Sequence, residues 1–348
     1  MQSVATRRTP RVVTDLLHEY GTLTRNALLA WLPDREPRRY LYDLVADYPS
    51  RASRCMRPAI CIAAARAFGA KQADAMHCAV SIELLHNALL VVDDIQDGSE
   101  QRRGLPTLHR SHGIPLALNV GSTMSILSLV PLLRNVETCG PLVALNIFER
   151  AIEVAQQCAE GQALELGWRL DNRVDLTQDD YLGMVLRKTC SYSTMFPMRA
   201  GAIVGTRRSA GGDACMRFAF LIGAAFQIQD DLLNIAGDSR RYGKEIAGDL
   251  LEGKRTLLTI RLLERCSPSE RRFVEMFLGC DREEKTAEAV DSVLRLIREY
   301  GCIEDTRRFA QALLGAATYE FDRHLEHLPA SDDKEFLRGL IPWVIEQS

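Results

Sequence analysis

The chain has 348 residues and a formal net charge of −3 at pH 7, with 47% of its residues hydrophobic and 26% charged. This composition is ordinary for a soluble globular protein, and the negative balance excludes a strongly basic nucleic-acid-binding protein. The ten cysteines form no CxxC pair, which excludes zinc-ribbon spacing and favours reduced thiols in a cytoplasmic protein.

Apolar residues recur with helical periodicity along almost the whole chain, and no alternating stretch is convincing as a strand. In chain order, helices are predicted over residues 39–46, 58–68, 74–97, 121–134, 141–166, 178–204, 214–236, 257–265, 268–278, 282–300, 303–325 and 332–346. Residues 98–115 are rich in glycine, proline, arginine and histidine and are predicted to form a loop. The sequence therefore predicts an all-α fold of roughly a dozen helices around a central core.

No repeat or obvious linker divides the chain, so we predict a single domain over residues 1–348. No run of roughly 18 apolar residues predicts a transmembrane helix. The N-terminal sequence MQSVATRRTPRVV also lacks the apolar segment of a signal peptide. We therefore expect a cytoplasmic protein without a membrane anchor.

An acidic cluster ends the predicted helix 74–97. Asp93 and Asp97 are four residues apart and share one helix face, with Asp94 beside it. Three carboxylates so close repel one another unless a cation lies between them, and hard oxygen ligands select Mg²⁺, which typically bridges carboxylates and substrate phosphates. A solvated helix end is the alternative. The apolar stretch before the cluster and the cationic pair Arg102-Arg103 after it favour the metal site.

A second acidic cluster ends the predicted helix 214–236. Asp230 and Asp231 follow a long apolar stretch, and Asn234 lies four residues after Asp230. Lys244 and the segment Glu252-Gly253-Lys254 come next. The two clusters are 137 residues apart, from Asp93 to Asp230, and each has trailing cations. This pair predicts two helices that face each other across a cavity and hold several Mg²⁺ ions around one diphosphate.

From these motifs the sequence resembles the trans-isoprenyl diphosphate synthases, the polyprenyl synthetase family. The resemblance spans roughly residues 39–259, whereas residues 1–38 look like an N-terminal extension and residues after 300 carry little of it. Its motifs are Glu83-Leu84-Leu85-His86-Asn87, Asp93 to Asp97, Arg102 to His109, Glu160-Gly161-Gln162, Trp168 to Asn172, Lys188-Thr189, Phe226 to Asp231 and Glu252-Gly253-Lys254. The uninterrupted aspartate motif looks most like that of geranylgeranyl diphosphate synthases of the eukaryotic type.

The resemblance implies an isoprenoid-synthase fold around an apolar cavity, a homodimer, and Mg²⁺-dependent condensation of isopentenyl diphosphate with an allylic diphosphate. It implies about three Mg²⁺ ions per site, held by Asp93, Asp94, Asp97, Asp230, Asp231 and, less directly, Asn234. Contacts with the allylic diphosphate would come from Arg102, Lys188, Gln227, Lys244 and Lys254. Isopentenyl diphosphate would be held by Arg54, Arg57, His86 and Arg103. Thr189 and Gln227 would stabilise the carbocation by their dipoles.

One departure from the family pattern concerns the isopentenyl diphosphate site. Relatives usually show Gly-Lys-x-x-Arg, whereas this chain has Ser53-Arg54-Cys55-Met56-Arg57. Arg54 keeps the charge but not the geometry of lysine. A terpene cyclase, which ionises a prenyl diphosphate without binding isopentenyl diphosphate, is therefore the alternative function, and a non-catalytic partner subunit is a second.

The length of the product is expected to depend on the residues one turn before Asp93. These are Ala88 and Leu89. Relatives that stop at fifteen carbons commonly carry bulky aromatic residues there. Because Ala88 is small, we expect an open shaft and a product longer than farnesyl, namely the C20 chain.

Overall fold

The computed structural model describes residues 2–236 and 247–346, and it confirms the predicted all-α fold. The α-helices are α1 Gln2–Trp31, α2 Asp43–Ser50, α3 Met56–Ala67, α4 Gln72–Gln96, α5 Leu108–His112, α6 Ile114–Leu129, α7 Asn135–Cys139, α8 Pro141–Leu170, α9 Gln178–Val185, α10 Phe196–Thr206, α11 Met216–Ala236, α12 Gly248–Leu251, α13 Leu257–Arg265, α14 Pro268–Gly279, α15 Ala287–Glu299, α16 Cys302–His324 and α17 Asp332–Glu346. Wider π-helical turns occupy Arg38–Tyr42 and Leu186–Met195, and 3-10 turns occupy Pro131–Arg134, Asp213–Cys215 and Arg282–Glu284.

The predicted loop 98–115 is more ordered than its composition suggested. Strands β1 Gln101–Arg102 and β2 Leu105–Pro106 pair antiparallel in it, and α5 and the start of α6 follow. The turn between the strands consists of Arg103 and Gly104, whose φ angles are 55° and 76°. Two residues at positive φ form the turn that suits a tight hairpin. This turn places Arg102 and Arg103 close to the end of α4.

The centre of the fold is a close contact between α3 and α10. Five of the 12 residues of α3 are alanine and ten are buried, so its backbone lies close to its neighbours. A Cβ atom added at Gly201 in α10 would lie 2.3 Å from the Cys61 carbonyl oxygen. Because the two helices touch backbone to backbone here, only glycine fits at position 201. The contact fixes α10, and with it the π-helical segment that precedes α10 and carries site residues.

The two terminal helices also pack into the core. Val13, Leu17 and Tyr20 of α1 are buried with residues of α3 and α17. The Tyr20 hydroxyl donates to Asp333 Oδ1 (2.5 Å), and Arg66 Nε donates to Asp333 Oδ2 (2.8 Å). Asp333 lies in the first turn of α17 and is itself buried. One carboxylate therefore joins α1, α3 and α17.

Two helical stretches in the described part of the chain are long and apolar enough to cross a membrane: Gln72–Gln96 and Ile114–Cys139. The first is α4, and 72% of its most apolar 18-residue stretch is buried, as expected for a core helix. The second runs from α6 to α7, and only 39% of its most apolar 18-residue stretch is buried. Exposed apolar surface of this kind commonly marks an interaction site.

Candidate active site

The C-terminal ends of α4 and α11 meet at one cavity of about 700 Å³. Its walls also include residues of α6, α8, α9 and the segment Leu186–Met195. The body of the cavity is lined mainly by apolar side chains, such as Leu85, Leu89 and Met184. Its mouth is charged and is lined by Asp93, Lys188, Asp230, Asp231, Asp249 and Lys254. The structure thus brings the two acidic clusters to the same cavity.

Asp93 lies opposite a lysine of the cavity wall. Lys188 Nζ is 3.3 Å from Asp93 Oδ1 and also forms an ion pair with Glu165 of α8. Burial disfavours the charged ammonium, but Asp93 and Glu165 outweigh burial and raise the pKa of Lys188. Lys188 is therefore a fixed positive charge beside the first acidic cluster.

Asp94 is placed differently from Asp93, and this corrects the expectation that it faces a metal ion. It is fully buried, and Arg102 Nε donates to its Oδ1 (2.9 Å) while the Tyr48 hydroxyl donates to its Oδ2 (2.6 Å). Both carboxylate oxygens are therefore engaged by protein groups, and unlike Asp93, Asp94 does not line the cavity. Asp94 orients Arg102, and Arg102 lines the cavity.

Asp97 lies in a buried network of charges. Its Oδ1 accepts from Arg169 Nη1 (2.9 Å) and its Oδ2 from Lys254 Nζ (2.7 Å). Lys254 Nζ also lies 2.7 Å from Glu252 Oε2. Burial raises the pKa of Glu252 to about 7, with Lys254 acting in the opposite direction. The network links the end of α4 to the segment after α12. Asp97 was predicted to hold a metal ion, but like Asp94 it does not line the cavity.

The second cluster is organised by hydrogen bonds around Asp231. The Tyr181 hydroxyl donates to Asp231 Oδ2 (2.7 Å), and Gln227 Nε2 donates to Oδ1 (2.8 Å). The Thr189 hydroxyl in turn donates to Gln227 Oε1 (3.0 Å). Burial, and then the nearby charge of Asp249, raises the pKa of Asp231. Such carboxylate crowding is relieved when a cation binds.

Asn234 does not line this cavity. It is buried, and its amide oxygen accepts a hydrogen bond from the Asp249 backbone N–H (3.2 Å). Asn234 thereby positions Asp249, a cavity residue to which the sequence alone gave no role. Lys244, which was predicted to contact the allylic diphosphate, lies outside the described residues.

The carboxylates at the mouth fit Mg²⁺ in their chemistry. Asp93, Asp230, Asp231 and Asp249 offer only oxygen ligands, which Mg²⁺ prefers. Within residues 2–236 and 247–346, no three acidic, histidine or cysteine side chains converge on one point that could hold a metal alone. Mg²⁺ usually takes one or two carboxylates and completes its shell with water and substrate phosphates. The arrangement therefore suits ions that arrive with a diphosphate.

Three of the four residues predicted for isopentenyl diphosphate lie around the start of α3. Arg57 Nη1 lies 3.2 Å from His86 Nε2, and Arg57 Nη2 donates to the Tyr192 hydroxyl (3.2 Å). The rings of His86 and Tyr192 stack with centroids 5.9 Å apart. Arg103 Nη1 donates to the Tyr48 carbonyl oxygen (2.7 Å). Arg54, the fourth, is exposed, and neither Arg54 nor Arg103 lines the cavity, whereas Arg57 and His86 do.

The structure corrects the expected position of Ala88. Its side chain is fully buried among Val91, Val120 and Met124 of α4 and α6, and it does not line the cavity. Leu89 does line it. Of the two residues one turn before Asp93, Leu89 therefore faces the cavity and Ala88 does not.

Sequence reasoning missed several polar residues of the site. Glu165, Tyr181 and Tyr192 were given no role, although Tyr192 lies only three residues after Thr189 and so on a neighbouring part of the same helical surface. Asp249 could have been found because it stands among charged residues five positions before Lys254. Glu165 and Tyr181 carry no such local signal.

Comparison with known proteins gives consistent matches along the chain. A family model described as polyprenyl synthetase matches residues 38–297. The short chain isoprenyl diphosphate synthase of Methanothermobacter thermautotrophicus is 30% identical over 343 residues, which cover 96% of this chain and 98% of the relative. The geranylgeranyl diphosphate synthase of Sulfolobus acidocaldarius is 32% identical over 267 residues, or 75% of this chain and 77% of the relative.

A solved structure supports the same likeness in three dimensions. The polyprenyl synthase of Caulobacter crescentus, complexed with calcium and isoprenyl diphosphate, superposes with a TM-score of 0.84 at 25% identity and covers 97% of each chain. The relatives named above are archaeal and bacterial, although the aspartate motif looked most like the eukaryotic type.

Proposed function

Because the chain belongs to the polyprenyl synthetase family, we propose that it joins isopentenyl diphosphate to an allylic diphosphate in Mg²⁺-dependent trans chain elongation, with geranylgeranyl diphosphate (C20) as the product. The observation that carries the proposal is a single cavity with an apolar body and a mouth at which two carboxylate clusters meet Lys188 and Lys254. An apolar body suits a prenyl chain, and a mouth with both signs of charge suits metal ions and a diphosphate.

The proposed reaction begins with ionisation of the allylic diphosphate. Its C–O bond breaks, and pyrophosphate leaves with the electron pair. Lys188, Arg102 and Lys254 stabilise the departing charge, since fixed cations act strongly in a site shielded from water. Bound Mg²⁺, held by Asp93, Asp230 and Asp231 with Asp249 nearby, would supply additional neutralisation of the leaving group.

Carbon–carbon bond formation follows in the same cavity. The double bond of isopentenyl diphosphate attacks the allylic carbon, and a proton is then lost to the released pyrophosphate. Thr189 and Gln227, which are hydrogen-bonded to each other (3.0 Å), both line the cavity and would stabilise the carbocation by their dipoles. Arg54, Arg57, His86 and Arg103 would hold the second diphosphate, which needs no metal.

The depth of the cavity supports a product longer than C15. Leu89, Leu85 and Ser81 are spaced by four residues on α4, and all three line the cavity. It therefore reaches about three helical turns below Asp93, or roughly 18 Å along the helix. Ser81 and Ser128 line its deep end with small side chains.

Filling the deep end is expected to shorten the product. Ser81→Phe should raise the share of C15 product at the expense of C20, because the ring occupies the space that the last isoprene unit needs. Products are measured by chromatography after phosphatase treatment. Ala88→Phe is the matched control. It overpacks the cluster with Val120 and Met124, at a cost of about 1–3 kcal/mol, and should lower the melting temperature without shortening the product. An unchanged product distribution in Ser81→Phe would show that the space beside Ser81 does not limit the length of the prenyl chain.

The competing function is a terpene cyclase, which shares the ionisation step. A synthase releases pyrophosphate from farnesyl diphosphate only when isopentenyl diphosphate is present, whereas a cyclase releases it from its substrate alone. We expect continuous pyrophosphate assays to show this dependence. Pyrophosphate release at full rate from farnesyl or geranylgeranyl diphosphate alone would favour the cyclase. Arg57, which contacts His86, and Arg103, which donates to Asn87 Oδ1 (3.3 Å), favour the synthase.

We also propose that the enzyme works as a homodimer. The outer surface from α6 to α8 exposes large apolar side chains: Ile126 (68%), Leu133 (56%), Leu142 (81%) and Leu145 (55%). Exposed apolar surface of this kind is typical of an interface. The dimer implied by the sequence resemblance would cover it.

Charges placed on this surface are expected to separate the subunits. Ile126→Glu combined with Leu142→Glu should sediment as a 39.0 kDa monomer, because an interface cannot bury unpaired carboxylates without a large desolvation cost. Met276→Glu in α14 replaces an equally exposed apolar residue (72%) and should leave the dimer intact. A double variant that sediments like the wild type would reject this surface as the interface.

A further inference from the structure

The altered stretch Ser53–Arg57 lies between α2 and α3, and both terminal helices pack on or near it. Helices α1 and α17 fall outside residues 38–297, the part matched by the family model. Their contacts with this stretch therefore lie outside the part of the chain that the family model matches.

Helix α1 fixes the backbone of the stretch. Arg25 Nη2 donates to the Ser53 carbonyl oxygen (3.2 Å). A Cβ atom added at Gly21 would lie 3.0 Å from the Cys55 Cβ, so α1 approaches the stretch closely at this glycine. Cys55 has a φ angle of 47°, in the left-handed region that non-glycine residues rarely adopt. The backbone on either side of Arg54 is thus held in one conformation.

Helix α17 supports the side chain of Arg54. The guanidinium carbon lies 5.8 Å from the centroid of the Trp343 ring, within the range of a cation–π contact. Trp343 is only 8% exposed, and its neighbour Val344 is 1% exposed, so the ring is firmly packed. The Asp333 carboxylate fixes the same helix to α1 and α3.

Arg54 lies three residues before Arg57, which lines the cavity and whose guanidinium contacts His86. Partial desolvation lowers the pKa of Arg54, and the charge of Asp230 acts against this lowering. A planar guanidinium stacks on an aromatic face, whereas a lysine ammonium lacks a flat face. Arginine at position 54 therefore suits a contact with the Trp343 ring better than the lysine that relatives usually carry.

We propose that Trp343 is a positioning residue that holds the Arg54 guanidinium at the isopentenyl diphosphate site, so that the C-terminal helix α17 forms part of this site. The inference rests on the proposed function, because it assumes that Arg54 binds the diphosphate of isopentenyl diphosphate. It explains how the site keeps a cation in place although the family's lysine is missing.

The test measures binding and kinetics of the full-length chain with Trp343→Leu, Arg54→Ala and both changes together. Trp343→Leu should weaken calorimetric binding of isopentenyl diphosphate, and raise its KM, by about two- to fivefold, the usual size of a partly exposed cation–π contact. The KM for farnesyl diphosphate should not change. In the Arg54→Ala background, Trp343→Leu should add nothing further to the KM for isopentenyl diphosphate.

Two controls separate positioning from loss of packing. Trp343→Phe keeps an aromatic face and should stay close to the wild type, while Val344→Ala perturbs α17 beside the contact and should lower the melting temperature without a selective change in KM. Equal increases in both KM values, or an undiminished effect of Trp343→Leu in the Arg54→Ala background, would overturn the inference. If the wild type binds isopentenyl diphosphate but never incorporates it, the proposed function fails and the binding data still decide this inference. If the wild type does not bind it, both fail.

Discussion

Asp93→Asn is expected to lower turnover by roughly 10²- to 10³-fold or more while the protein stays folded. Asparagine keeps the shape of the side chain but removes the charge that faces the mouth of the cavity. Asp93 lines this mouth, and its side chain is 25% exposed, so the fold loses little when the charge is removed. Lys188 would lose one of its two carboxylate partners and would be less well fixed.

The measurement is steady-state turnover over a series of Mg²⁺ concentrations, with thermal melting of the same sample. Asp179→Asn is the matched control, because Asp179 is an exposed aspartate at the start of α9 and does not line the cavity at the ends of α4 and α11. It should retain wild-type turnover. Wild-type turnover of Asp93→Asn at every Mg²⁺ concentration would remove the first acidic cluster from the proposed metal site.

Gly161→Ala is expected to lower turnover by about 10²-fold, because a displacement of roughly 1 Å at a catalytic group can cost that much. A Cβ atom at this position would lie 2.2 Å from the Lys188 backbone nitrogen and 2.7 Å from its Cα. These are backbone atoms, so a side-chain rotation cannot relieve the clash. Helix α8 and the segment Leu186–Met195 would have to separate, which moves Lys188 and Thr189 together.

The same substitution elsewhere on α8 provides the control. Gly167 has no neighbouring atom within 4 Å of an added Cβ, so Gly167→Ala should preserve turnover and stabilise the helix slightly, by up to about 1 kcal/mol. Gly161→Ala should instead lower the free energy of unfolding by about 1–3 kcal/mol. Chemical denaturation and turnover are measured on both variants. A fully active Gly161→Ala would show that the position of Lys188 does not limit the reaction.

Much of the site could be predicted because its signals are local. The acidic residues at the ends of α4 and α11 stand out against long apolar helices, and the structure brings Asp93, Asp230 and Asp231 to one cavity. The hairpin at residues 101–106 was predicted as a loop, since its strands are only two residues long and have no alternating pattern. Its Arg103-Gly104 turn was the available signal.

The error at Ala88 has a physical cause. Helix α4 is buried on nearly all sides between residues 78 and 88, so the contrast between an exposed and a buried face does not reveal which side faces the cavity. Both Ala88 and Leu89 follow the apolar pattern, yet only packing against α6 decides which one points inward. Helical periodicity predicts the helix, but it does not predict which side faces the cavity when all sides are buried.

The ion pairs of the site could not be predicted for a different reason. Asp97 pairs with Arg169 and Lys254, which are 72 and 157 residues away in sequence. Such pairs depend on how distant helices pack, and no pattern within one helix encodes them. The engagement of Asp94 by Arg102 and Tyr48 is of the same kind, because Tyr48 comes from α2.

Incorporation of labelled isopentenyl diphosphate tests the central claim most directly. The wild-type protein is incubated with Mg²⁺, labelled isopentenyl diphosphate and dimethylallyl, geranyl or farnesyl diphosphate, and the products are separated before and after phosphatase treatment. We predict label in a longer prenyl diphosphate, with the C20 alcohol as the main product after phosphatase treatment. Unlabelled hydrocarbon formed from an allylic diphosphate, with no label in any prenyl product, would contradict the proposed function and identify a cyclase.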